Sequence, residues 1–149
     1  MKHLKKQVLI WYSPAQMYAL VTDVARYAEF LPGCASSRVI ESHEEGMTAE
    51  LGLSVVGVKQ TFTTRNQHVL NERVDMVLVD GPFSKLEGHW QFVPLGDGQS
   101  CKIHLDLHYA FSSAALGALI GPVFDRLASS LVDAFVKRAE VVYGGQHGQ

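Results

Sequence analysis

The chain has only two cysteines, Cys34 and Cys101, far apart and without the spacing of a metal site. That excludes a disulfide framework and leads us to expect two free thiols in a reducing, cytoplasmic compartment. A surplus of charge of one sign is missing too. Its 13 Lys and Arg against 15 Asp and Glu leave a formal net charge of −2, so the whole chain has no strong attraction for phosphate backbones or anionic lipid. No run approaches the roughly 18 uninterrupted apolar residues of a membrane span. The richest stretch, Ala114 to Leu131, is broken by Gly117, Gly121, Pro122, Asp125 and Arg126. The N-terminal Lys2, Lys5 and Lys6 precede an apolar run, Val8 to Tyr12, that is too short for a signal-peptide core and lacks a small-residue cleavage site; it reads as a first strand. Serine nucleophile elbows, phosphate-binding loops, a Rossmann glycine pattern, internal repeats, linkers and low-complexity tracts are all absent.

What is present is 47% hydrophobic and 19% charged residues in 149, enough for one domain that buries roughly 70% of the surface its unfolded chain exposes. Ser13 and Gln16 form a capping-box pair, with Pro14 at the first helical position, so a short helix is expected over Pro14 to Thr22 with Met17, Leu20 and Val21 inward. Asp23 is expected to cap a second short helix through Val24, Tyr27 and Ala28, ended by Pro32-Gly33. From Cys34 to Phe111 the period is two, with turns expected at Glu44-Glu45-Gly46, Gly57, Leu70-Asn71, Gly81-Pro82 and Leu95 to Gly98. After Phe111 a 3.6-residue stripe returns through Leu116, Leu119, Ile120, Val123, Phe124, Leu127, Leu131 and Phe135. It predicts a helix from Ser113 to Tyr143, kinked or divided at Gly121-Pro122 and stopped by Gly144-Gly145. The order of elements predicts an α+β helix-grip fold: a curved antiparallel sheet of six to seven strands wrapped around a long C-terminal helix, with two short helices after strand one. An interior gap between sheet and helix would be lipophilic. Gly88, in an apolar strand face with Leu86, Trp90 and Phe92, leaves space there.

Three stretches carry a family resemblance: Tyr27 to Cys34, Val79 to Phe83 with Leu86 to Phe92, and Leu119 to Phe124. On these, over nearly its whole length, the chain resembles the coenzyme Q-binding branch of the START-like polyketide cyclase/dehydrase superfamily, which includes the RatA-type ribosome-association proteins. It departs at Ala28, where the family usually has proline after the tyrosine, which should loosen the second helix. The resemblance implies non-catalytic binding of a prenylated quinone, ubiquinone, in support of respiration or quinone biosynthesis, with no covalent cofactor. Transient membrane contact for quinone exchange, peripheral to the inner membrane, would follow. The alternative it implies is a toxin that binds the large ribosomal subunit and blocks subunit joining, with an antitoxin protein as partner. Fold alone does not choose between them.

The candidate quinone pocket is drawn from the strands as Leu51, Leu53, Val55, Phe62, Met76, Leu78, Trp90, Phe92, Leu105 and Tyr109, and from the helix as Val123, Phe124, Leu127 and Leu131. The same stripes are how any core is written, so each residue also reads as plain packing. Tyr109 and Trp90 carry polar handles that would reach a quinone carbonyl. Gly81, Pro82 and Phe83 together with Gly121 and Pro122 form a candidate mouth, or are simple hairpin and helix punctuation. His104, Asp106 and His108 alternate on one strand face; strand rise sets the two histidines roughly 13 Å apart, so only adjacent members could share an ion, and a solvated face is expected in place of a metal site. Lys2, Lys5, Lys6, Lys59, Arg65, Lys85 and Lys102 are candidates for a local basic patch toward ribosomal RNA, or a mixed solvated surface. The predicted apolar faces hold almost no acid or base besides Tyr109, which argues against an enzyme.

Overall fold

Residues 1–55 and 58–147 are described in the computed structural model of the chain. Turn chemistry divides the middle of the sequence into antiparallel strands: β1 (Lys2–Ile10), β2 (Cys34–His43), β3 (Gly46–Val55), β4 (Val58–Val69), β5 (Arg73–Asp80), β6 (Phe83–Leu95) and β7 (Ser100–Phe111). They form one sheet in the order β1-β7-β6-β5-β4-β3-β2, so β1 and β2 are its edges. The expected turns separate the strands, except that the one at Gly57 lies outside the described residues. Burial alternates strictly along β7, from Cys101, Ile103, Leu105 and Leu107 to Tyr109, with Lys102, His104, Asp106 and His108 on the other face. One face therefore packs inward and the other meets water.

Helix α1 (Pro14–Thr22) follows β1 and α2 (Ala114–His147) follows β7. The capping box of α1 is formed in both directions, Ser13 Oγ accepting from the Gln16 N–H and Gln16 Oε1 accepting from the Ser13 N–H. Met17, Leu20 and Val21 are buried, as expected from its stripe. Ile120, Phe124, Leu127, Leu131 and Phe135 bury the inner stripe of α2 against the sheet. By length and composition α2 is apolar enough to cross a membrane; here the sheet takes up its stripe.

Several local expectations are corrected. The first strand starts at Lys2 and ends at Ile10, leaving Trp11 82% exposed just beyond it. The second short helix is a 3₁₀ segment, Val24–Glu29, and Asp23 makes no side-chain cap to it; the Asp23 carboxylate instead pairs with Arg26. Ala28 adds a tie where looseness was expected: its N–H, which proline would lack, donates to Ser37 Oγ on β2. Helix α2 is not divided at Gly121-Pro122 and continues past Gly144-Gly145 to His147, with Pro122 inside it. Leu119, counted in the stripe, is 43% exposed.

At Gly81 the chain between β5 and β6 takes φ 143°, and a Cβ there would stand 2.6 Å from the Phe62 Cβ. Only glycine fits that turn.

Candidate functional site

Between sheet and α2 lies a cavity of about 60 Å³. The 3₁₀ segment and the residues after it close one side with Val24, Tyr27 and Leu31; α2 contributes Phe124, Leu127, Leu131 and Phe135; β3 to β7 supply the rest. Of the residues expected from the sequence, Leu51, Phe62, Met76, Trp90, Phe124, Leu127 and Leu131 meet at this wall. Leu53, Val55, Leu78, Phe92, Leu105, Tyr109 and Val123 belong to the surrounding core and are not among the residues lining it. Gly88 does line the cavity, and a Cβ on it would come within 2.5 Å of Met76 Cε and 3.2 Å of Leu107 Cδ1. The missing side chain at Gly88 is part of what keeps this space open.

Two wall residues depart from the apolar pattern. On β4 the inward file runs Phe62, Thr64, Asn66, and both Thr64 and Asn66 are buried. Thr64 Oγ1 donates to Asn66 Oδ1 at 2.7 Å. Among the described residues Thr64 is the only hydrogen-bond partner of the Asn66 side chain, so the amide N–H groups are available to a ligand oxygen. Sequence reading missed this pair because it sought apolar residues on the inner face. The signal was present in the strict alternation of Phe62, Thr64, Asn66 and His68 with Thr63, Arg65 and Gln67.

The polar handle expected of Tyr109 is already in use. Its hydroxyl donates to Asp125 Oδ1 at 2.6 Å, and Lys2 pairs with the other carboxylate oxygen, joining β1, β7 and α2. Burial and the neighbouring Asp125 both push the Tyr109 hydroxyl well above the usual tyrosine range. Trp90 is 2% exposed and lies against Phe92 and Phe135, so it is core as well as cavity wall. Tyr27 lines the cavity but donates its hydroxyl to the Val21 carbonyl, and burial holds it neutral. It is the one ionisable side chain among the described lining residues.

The five residues expected at a mouth are not among those lining the cavity. Phe83 is buried in a cluster with Phe62, Phe111 and Phe124, at ring-centroid distances of 5.5, 5.3 and 4.8 Å. Gly121 faces the ring of Phe111, and the Ser112 N–H donates to the Pro82 carbonyl. Both segments thus adjoin the 111–112 stretch, where the aromatic rings of Phe83, Phe111 and Phe124 pack together. The residues expected in a basic patch do not all share one face. Lys2 and Lys6 turn toward Asp125 and the Ser129 carbonyl of α2, whereas Lys5 lies along the outer face. The Lys59 side chain lies outside the described residues. Both thiols are free and buried, and burial pushes Cys101 up to about 11.

This architecture has known counterparts. The chain is 46% identical over 144 residues to the ribosome association toxin RatA of Vibrio cholerae, a match covering 97% of this chain and 99% of that one. It is 30% identical over 141 residues to coenzyme Q-binding protein COQ10 homolog B, mitochondrial, of Xenopus laevis, covering 93% of this chain and 58% of the other. In three dimensions it matches the Zhui aromatase/cyclase of Streptomyces sp. R1128 with a TM-score of 0.78, 17% identity and 93% of each chain covered, which is a likeness of fold. Residues 10–136 match the family described as polyketide cyclase/dehydrase and lipid transport. With its sheet gripping one long helix around an apolar cavity, the chain belongs to that family.

Proposed function

We propose that this protein is a cytoplasmic, non-enzymatic binding protein that associates with ribosomes. The observation that carries the reading is the end-to-end match to the Vibrio cholerae relative. The match covers 97% of this chain and 99% of the relative. The resemblance set out from the sequence narrows the target to the large subunit, with block of subunit joining as the effect and an antitoxin protein as a second partner. With a formal net charge of −2, contact with ribosomal RNA has to come from a local surface, and it should weaken steeply as salt displaces it. Co-sedimentation of the purified chain with isolated large subunits across a potassium chloride series tests this. Binding at low salt that declines with added salt is expected; no co-sedimentation at low salt overturns the reading.

A second reading, binding of a prenylated quinone, is favoured by the make-up of the cavity wall. Hydrocarbon and aromatic side chains dominate it, and the Thr64–Asn66 pair provides one polar end. A ligand matching both would be an apolar body with a single acceptor oxygen, which a quinone carbonyl supplies. At about 60 Å³ the space is smaller than the roughly 150 Å³ that accepts a benzene ring, so a quinone would have to widen it. Entry through Gly81, Pro82 and Phe83 on one side and Gly121 and Pro122 on the other would require the Phe83 cluster to part, and exchange would require contact with a membrane. Mass spectrometry of organic extracts of protein purified from a quinone-replete host tests it. Recovery of a quinone is expected, and an extract without one retires this reading while leaving the first untouched.

A further inference from the structure

The water-facing side of the sheet holds a cluster of chemistry-bearing groups that takes no part in the cavity. Asp106 and His108 are two residues apart on β7 and so project from the same face. His3, on the adjacent edge strand β1, stands directly opposite His108 in the ladder. Side chains of opposite residues on neighbouring strands lie within reach of each other. The His3 and His108 rings stack with centroids 3.9 Å apart. The His3 Nε2 is 2.5 Å from Asp106 Oδ1, and the His108 Nε2 is 3.2 Å from the same oxygen. All three potential ligand atoms lie within 4.8 Å of one another.

We propose that His3, Asp106 and His108 form a site for one divalent transition-metal ion of the zinc type on the outer face of the sheet. Two imidazole nitrogens and one carboxylate oxygen are a donor set that zinc takes at about 2.0–2.2 Å, with a fourth position left to water or an outside ligand. Nitrogen donors favour zinc, copper or nickel over calcium or magnesium. Around a tetrahedral ion with such bonds the ligand atoms stand roughly 3.4 Å apart. The His108 to Asp106 distance is already close to that, and His3, whose side chain is 47% exposed, is free to swing outward and tilt from the stack. His104, the histidine the strand pattern suggested as partner to His108, stands opposite Gln7 and is outside the cluster. Lys5 stands opposite Asp106 on the same face, and its positive charge opposes a cation there. A bound ion ties the edge strand β1 to β7, so occupancy stabilises the sheet at its border.

Titration of the untagged, chelator-treated full chain with zinc alone by calorimetry, and with cobalt followed by visible absorption, tests the proposal. One ion per chain is expected, with the visible bands of cobalt bound to nitrogen and oxygen donors and a rise in melting temperature on adding zinc. Loss of a supporting group around a metal ligand already costs about 10–100-fold in affinity. His3→Ala, His108→Ala and Asp106→Asn should therefore each weaken uptake at least that much and cancel the thermal shift, whereas His104→Ala retains both. Lys5→Gln should tighten binding. These positions lie on the water-facing side of the sheet, outside the buried core, and far-ultraviolet circular dichroism of each variant verifies that the fold is kept. Absence of saturable uptake by the parent chain, or uptake that His3→Ala and His108→Ala leave unchanged, overturns the site.

Discussion

At the scale of single residues, the buried Thr64–Asn66 pair is the clearest departure from what packing alone would choose. Replacing both partners of a buried polar pair by apolar groups of similar shape is close to neutral or favourable. The double variant Thr64→Val with Asn66→Leu should therefore unfold at an equal or higher urea concentration than the parent. A clear loss of stability would show that the pair serves the fold and not a ligand. Trp90→Ala, by contrast, should cost about 3–5 kcal/mol in the same measurement, because Trp90 is packed core as well as wall. Asp125 carries the acid sensitivity of this corner. Burial alone would push its carboxyl up, but the Lys2 ammonium and the Tyr109 hydroxyl outweigh that and hold it below the usual carboxylate range. A carboxyl lowered by folding contributes stability that is fully present above its unfolded value of about 3.9 and is lost as pH falls through the folded value. Tyr109→Phe removes one of the two supports, so acid unfolding followed by circular dichroism should begin at higher pH than in the parent. An unchanged acid midpoint would rule out this role for the hydroxyl.

At the scale of elements, the start signal of α1 translated directly into structure, whereas the Asp23 cap and the Gly144-Gly145 stop did not. The capping box at Ser13 and Gln16 is formed as read, and Ser13→Ala should lower stability by about 1 kcal/mol in urea unfolding. The helix breakers did not act as local chemistry alone would have them act. Pro122 removes one hydrogen bond from α2, yet the helix runs through it because Ile120, Phe124 and Leu127 are held against the sheet on either side. Pro122 itself is exposed. Pro122→Ala should thus raise the melting temperature, with a gain of up to about 3 kcal/mol; a decrease would mean that the proline shapes a contact made by α2. The 3₁₀ segment shows the opposite case. Its six residues are too few for helical propensity to decide, and the hydrogen bonds of Ser37 to Ala25 and Ala28 dock it on β2.

At the scale of the whole molecule, the two readings of function use different surfaces. Ribosome association needs a surface, and quinone binding needs the interior to open. The closed aromatic cluster around Phe83 makes the second requirement measurable. Amide exchange at residues 81–83 and 119–124, with and without a short-chain ubiquinone, should change if these segments admit the ligand. Equal exchange in both segments, with quinone demonstrably bound, would place the entrance elsewhere.

The sheet, its turns, the gripped helix and the general position of the cavity were legible in the sequence. Periods of 2 and 3.6 report which face of each element is buried, and Gly88 marked the space by lacking a side chain. The assignment of particular residues to wall or core was not legible. Leu105 and Leu107 lie on the same strand face, yet only Leu107 lines the cavity. Nor does the pattern foretell that Tyr109 spends its hydroxyl on Asp125, a partner on α2. The sequence by itself determined the elements and their buried faces, because those follow from local geometry. Tertiary structure alone decided which side chains share a site, because antiparallel pairing of β1 with β7 brings His3 opposite His108, and no spacing along one strand encodes that meeting.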